Sequence, residues 1–178
     1  MTDIWFISDT HFFHSNILKF TDDDGKRIRP EFSSIGEMNE KIIENWNELV
    51  KPQDHIYHLG DVTFRYDLPF RELMYRLNGH KRLVVGNHDR LKGTPLCDYF
   101  EKVMLWRPWN DEDFVASHIP LHPRQFRMRA FNVHGHIHER SMDDPRYINV
   151  CVEQTNYAPV HLDIIKDRIK ELREEIKE

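Results

Sequence analysis

Asp9-Thr10-His11, Gly60-Asp61, Gly86-Asn87-His88-Asp89, Ser117-His118 and Gly135-His136-Ile137-His138 punctuate the chain in that order. Most of their polar members carry an oxygen or imidazole donor suited to a divalent cation, and the set is large enough to hold two. Residues two apart in an extended segment point the same way, so Asp9 with His11, and His136 with His138, can each converge on one ion. Gly135 lets the backbone turn sharply or come close to the ions. Either pair alone is weak evidence, since such short motifs arise by chance. Their conjunction with a Gly-Asp after His58-Leu59 and a Gly-Asn-His-Asp after Leu83-Val84-Val85 is hard to obtain from unrelated surface turns. Mixed imidazole, carboxylate and amide donors favour Mn, Fe, Zn, Co or Ni over Ca or Mg, and availability puts Mn first.

Ligands of this kind need rigid bases, and apolar runs precede most of the clusters. Residues 3–8 and 55–59 read as buried strands, and 81–85 as a third. Between them Ile35, Met38, Ile42, Trp46 and Leu49 recur at helical spacing, with Ser34 and Glu37 placed as a capping box. Residues 68–78 read as a second helix closed by Gly79. This βαβαβ half gives way to a half richer in β-structure, with short strands expected at 102–106, 114–117, 131–134 and 147–152. From Leu162 onward Ile165, Ile169, Leu172 and Ile176 form one apolar stripe among charges, as in a helix packed on the outside of a domain. The least structured stretches are expected at 21–30 and 120–130.

A chain of 178 residues, 39% hydrophobic and 31% charged, suits one soluble domain spanning 1–178. Thirty acidic against twenty-five basic side chains give a formal charge of −5, which disfavours sequence-independent binding to long nucleic acid. Cys97 and Cys151 lack metal-type spacing and read as reduced thiols of a cytoplasmic protein. No apolar run is long enough for a membrane span, and no export signal is apparent.

In the order and spacing of its clusters the chain resembles the calcineurin-like metallophosphoesterase superfamily. The resemblance covers most of the sequence. It implies an α/β fold in which two mixed β-sheets pack as a sandwich, with helices outside and a dinuclear metal site at the strand ends. It further implies that Asp9, His11, Asp61 and His138 hold one ion while Asp61, Asn87, His118 and His136 hold the other, Asp61 bridging the two. His88 would face the scissile phosphate and protonate the leaving oxygen or stabilise charge, with Asp89 orienting and charging its ring. Many members carry a further acidic residue after the Gly-Asp motif; here the run is Gly60-Asp61-Val62-Thr63-Phe64, which leaves the pocket beside Asp61 open to question.

The chemistry such a site supports is general. Two cations about 3.5–4 Å apart share a water, lower its pKa and clamp phosphate oxygens for in-line attack by the bridging hydroxide. No Ser or Cys nucleophile is needed. The expected substrate is a small, nucleotide-like phosphodiester or phosphomonoester; a nuclease, a phosphoprotein phosphatase and a non-catalytic metal-binding scaffold are the alternatives. Asn87, His88, Arg124, Arg127 and Arg129 are candidates to bind it, the arginines against the plain reading of a charged surface loop. His14 and His122 are weaker candidates to line the pocket. His58 and His134 fall inside strands and are expected to support the ligands rather than join them. Trp106 and Trp109 are left between an exposed patch and a core edge. An adjacent protomer could cover the site, and the oligomeric state is open.

Overall fold

Parallel strands carry the first half. In the computed structural model of the protein, which describes residues 2–126 and 130–176, these are β1 (Ile4–Ile7), β2 (His55–His58) and β3 (His80–Val84). Helix α1 (Ile35–Leu49) connects the first pair and α2 (Leu68–Arg76) the second. The chain continues through β4 (Lys102–Met104), β5 (Trp106–Trp109), β6 (Phe114–Ser117), β7 (Phe131–His134), β8 (Tyr147–Asn149) and β9 (Val160–His161), and ends in α3 (Leu162–Glu175).

The strands form two sheets, ordered β4-β3-β2-β1-β9 and β5-β6-β7-β8. Each is mixed: β9 is antiparallel to β1, β5 is antiparallel to β6, and the remaining pairs are parallel. Alternation along the strands divides the core. Phe6, Tyr57 and Val84 meet Phe114, Ala116, Phe131 and Val133 between the sheets, where α3 adds Ile165, Ile169 and Leu172. On the other face of the first sheet, Ile7, Ile56 and Leu83 pack against Met38, Ile42 and Trp46 of α1 and Phe70 and Leu73 of α2. No helix among the described residues is long and apolar enough to cross a membrane.

Three local outcomes differ from the sequence reading. The single strand expected at 102–106 is two: β4 ends the first sheet, Leu105 is the crossing residue, and β5 starts the second. A uniform apolar pattern does not record a change of sheet. Strand β9 was not expected, because two residues carry no periodicity. The capping box closes differently. The Ser34 hydroxyl accepts from Glu37 N–H, but Glu37 Oε2 receives the N–H and hydroxyl of Ser33 rather than the N–H of Ser34. Trp106 and Trp109, three apart on one strand, divide between surface and core: Trp106 is exposed, while Trp109 packs on Phe6, Tyr57 and Phe114.

Candidate metal centre

The parallel pairing of β1, β2 and β3 brings residues 9–13, 60–63 and 86–89 to one edge of the first sheet, and β6 and β7 deliver His118 and 135–138 from the second. Ligand sites in open α/β sheets favour this carboxyl end. The two sheets are tied together here, where Ser8 bridges Cys151 and Val152 N–H donates to Ser8 C=O at 3.2 Å.

Backbone conformation at this edge is unusual. Asp9, His11, Asp61, His136 and His138 all have positive φ, between 47° and 73°, a region non-glycine residues occupy only when their surroundings enforce it. The convergence of Asp9 with His11 therefore comes from left-handed kinks rather than from the extended spacing read in the sequence. The enforcing bonds are visible: Asp9 N–H donates to Gly60 C=O, and His11 N–H to Asp61 C=O, both at 3.0 Å. Gly135 is required for close approach, since a Cβ there would lie 2.0 Å from Ser8 Oγ and 2.3 Å from Asp9 Oδ2.

Around Asp9, one carboxylate oxygen is fully used and the other is free. Oδ2 accepts from Ser8 Oγ at 2.5 Å, His136 N–H at 2.8 Å and the Cys151 thiol at 3.2 Å. Burial first, then Asp9 and Glu153, push the Cys151 thiol well above its ordinary pKa, so it stays a donor. Oδ1 is buried without a hydrogen-bond partner among the described residues, as are Nδ1 and Nε2 of His11. Burial is the main cause holding His11 below its usual pKa, which leaves a neutral imidazole with a lone pair to offer. Its Nε2 lies 3.6 Å from Asp9 Oδ1 and 3.7 Å from Asp61 Oδ2, while His138 Nε2 lies 3.8 Å from Asp9 Oδ1. His118 Nε2 lies 3.5 Å from Asp61 Oδ2 and 2.9 Å from Asn87 Oδ1. Most of these separations exceed a hydrogen bond. They approach the roughly 3–3.5 Å between neighbouring ligands on one ion with bonds near 2.1 Å.

Among the described residues two groups could hold a cation: Asp9, His11 and His138, and Asp9, Asp61 and His118. His136 stands beside the second, its ring centroid 5.0 Å from that of His118. The donor set fits divalent ions, because unpartnered buried oxygens and nitrogens are rare and costly unless something satisfies them.

The candidate ligand rings are oriented from behind. His118 Nδ1 is 2.7 Å from Leu59 C=O, and His138 Nδ1 is 2.8 Å from Glu153 Oε1, so both turn Nε2 inward. Burial alone would lower the basicity of His138; Glu153 outweighs it and raises it. Glu153 is in turn held by Arg29, whose Nε lies 2.8 Å from the same Oε1. Arg29 is fully buried and also donates to the carbonyls of Asp9 at 2.7 Å and Thr10 at 3.2 Å. The sequence reading missed both residues. Arg29 sits in a stretch expected to be unstructured, and Glu153 follows a strand as one acidic residue among thirty.

His58 supports the loops from within its strand. Burial pushes its pKa down to about 3; its Nδ1 accepts Gly60 N–H and its Nε2 is 2.9 Å from the Thr10 hydroxyl. His134 is buried, with Nδ1 2.8 Å from Gly135 C=O. His88 stands exposed at the mouth, its N–H donating to Asp61 Oδ1 at 2.9 Å.

Asp89 requires a correction. It does not orient the His88 ring, because its carboxylate is taken up by backbone: Oδ2 accepts Asp61 N–H at 3.0 Å and Gly86 N–H at 2.8 Å, and Oδ1 accepts Val62 N–H at 2.9 Å. Asp89 pins the Asp61 and Gly86 loops, which carry candidate ligands, to each other. Arg124 is also displaced from its expected place. After His118 the chain is drawn across the second sheet, where Leu121 N–H donates to Asn132 Oδ1 and Tyr147 OH to Leu121 C=O. Arg124 thereby lines a separate cavity of about 460 Å³ with Trp106, Pro108 and Phe126. His122 caps the adjoining short helix through Nδ1. Arg127 and Arg129 lie outside the described residues.

Comparison with known proteins identifies the family of the chain. An uncharacterised protein of Methanocaldococcus jannaschii, MJ1445, is 36% identical over 174 residues, covering 93% of this chain and 90% of that protein. The gene 66 protein of Mycobacterium phage D29 is 26% identical over 212 residues, covering 98% and 99% of the two chains. The crystal structure of AQ665, a protein of unknown function from Aquifex aeolicus, superposes with a TM-score of 0.72 at 28% identity, covering 94% of this chain and 99% of that one. Residues 2–175 match the calcineurin-like phosphoesterase family. The chain belongs to that family, whose members bind divalent metals and whose name denotes phosphoester hydrolysis.

Proposed function

We propose that the protein hydrolyses a phosphodiester or phosphomonoester of a small, nucleotide-like molecule with the help of two divalent transition-metal ions, Mn foremost among them and Fe, Zn, Co or Ni as substitutes. The carrying observation is that His11 Nε2, which like Asp9 Oδ1 is buried and unpartnered among the described residues, lies 3.6 Å from that oxygen and 3.7 Å from Asp61 Oδ2, beneath an exposed His88. Asp9, His11 and His138 would hold one ion, Asn87, His118 and His136 the other, with Asp61 shared. When bound, such a pair supplies Lewis acidity toward the phosphoryl oxygens and a nucleophile ionised near neutral pH.

The chain's own residues do the rest. The Asp89 carboxylate, accepting backbone N–H groups from both, holds the Asp61 and Gly86 loops at a fixed separation. Glu153 and Leu59 C=O hold the imidazoles of His138 and His118 in one tautomer, and His88 gives a proton to the leaving oxygen. A small phosphorylated substrate suits a mouth open to solvent, and the reading places the protein in the cytoplasm.

The deciding experiment is hydrolysis of bis(p-nitrophenyl) phosphate and p-nitrophenyl phosphate by metal-stripped protein, before and after refilling with Mn. Turnover restored by Mn, with two ions bound per chain, is the expected result; equal rates with and without metal would end the proposal. In the same assay His88→Ala is expected to lower kcat roughly a hundredfold with metal content unchanged. Loss of both ions in that variant would instead make His88 a ligand.

A further inference from the structure

Beside the metal loops stands a run of aromatic rings. Phe20 meets His14 edge-on at 5.6 Å, His14 stacks on Phe64 at 3.9 Å and 12°, and Phe64 lies 4.9 Å from His88. The run adjoins a candidate ligand, since His14, Phe64 and His88 lie 5.7, 5.4 and 5.8 Å from the ring of His11.

Its two phenyl rings are not core residues. Phe20 is 45% exposed and Phe64 42%. A single exposed phenyl ring is ordinary. Two of them joined through a stacked imidazole, at the mouth of a cluster of metal-type donors, make an apolar surface where a substrate must pass. Phe64 is also held in place: its N–H donates to Phe12 C=O at 3.1 Å, and Thr63 bridges Phe12 in parallel pairing. The Thr63 hydroxyl lies 3.1 Å from Phe12 C=O and 3.0 Å from Arg65 C=O, either of which it can satisfy. The ring therefore stands on paired backbone and loses little freedom on binding. The run contains no carboxylate to select a cation, and its π-faces and edges suit another flat, uncharged ring.

We propose that Phe64, flanked by His14, Phe20 and His88, is a specificity-determining rim that takes a planar aromatic group attached at or near the phosphorus. Phosphoesters that carry an aryl or heteroaryl ring are thereby preferred over ring-free alkyl phosphoesters of equal charge. This rests on the phosphoesterase reading of the adjoining site, but it is tested by binding rather than turnover.

The probes are phenylphosphonate and methylphosphonate, whose carbon–phosphorus bonds are not phosphoester bonds, titrated calorimetrically into Mn-loaded protein. Phenylphosphonate is expected to bind about tenfold more tightly, the weight of one ring packed on an aromatic side chain. Phe64→Ala should bring the two affinities to within about twofold, and Phe64→Tyr should keep the preference. An unchanged ratio in Phe64→Ala, equal affinities in the wild type, or no binding of either phosphonate overturns the rim. A phenyl preference that depends on Phe64, in a protein that cleaves no ester, leaves the rim standing and removes the phosphoesterase reading.

Discussion

Asp61→Asn is expected to lower kcat/KM for phosphoester hydrolysis about a thousandfold or more, while far-ultraviolet circular dichroism stays unchanged. Its carboxylate reaches both halves of the centre, with Oδ2 3.7 Å from His11 Nε2 and 3.5 Å from His118 Nε2. Oδ1 meanwhile accepts the His88 N–H. Asparagine preserves the shape and can still accept that hydrogen bond, so the loop stays in place. What disappears is the negative charge between two would-be cation sites, and with it the attraction that holds two like charges close together. Losing charge complementarity to a reacting phosphoryl group costs several kcal/mol where water is excluded. Steady-state kinetics with bis(p-nitrophenyl) phosphate, alongside elemental analysis, provide the check. A variant with two ions and near-normal turnover would mean that Asp61 is not shared.

The candidate centre was readable from the sequence to the extent that its ligands sit immediately after strands. An apolar run followed by Gly-Asp or Gly-Asn-His-Asp announces both the base and the projecting donor, so the clusters at Asp61, Asn87 and His136 stand out; the first and third helices show as apolar stripes and the second by its closing Gly79. What was not readable belongs to long-range pairing. Arg29 lies 124 positions from Glu153, and nothing local marks either as half of a buried pair. Asp89 looked like a partner for His88 because the two are adjacent in sequence. Its actual partners are the backbone N–H groups of Asp61 and Val62, 28 and 27 positions away, and of Gly86 three positions before it; every residue except proline possesses such a group, so none is marked by its type. The kinks at Asp9, His11 and Asp61 were equally silent, because side-chain type says little about a positive φ that tertiary bonds impose. Strand β5 shows the same limit at the level of topology: its first residue, Trp106, reads as the end of β4, although it belongs to the other sheet.

The largest effect on stability is expected from Arg29→Met, a loss of about 3–5 kcal/mol in urea unfolding. Methionine matches much of the aliphatic length of arginine, so packing against α1 is largely kept and the loss isolates the guanidinium. That group is wholly buried and bonds to Glu153 and to the carbonyls of Asp9 and Thr10, the loop that carries two candidate ligands. Burial opposes ionisation of Glu153, but Arg29 and then His138 outweigh it and hold its carboxyl below the usual range. Without Arg29 the carboxylate keeps only His138, and two backbone carbonyls lose a donor. Adding Glu153→Gln to Arg29→Met removes the stranded charge and should recover part of the stability, but not the share that belongs to the carbonyls. The double-mutant cycle separates these contributions. Strictly additive losses would mean that the pair does not act as a unit, and that Arg29 braces the metal loop through its carbonyl bonds alone.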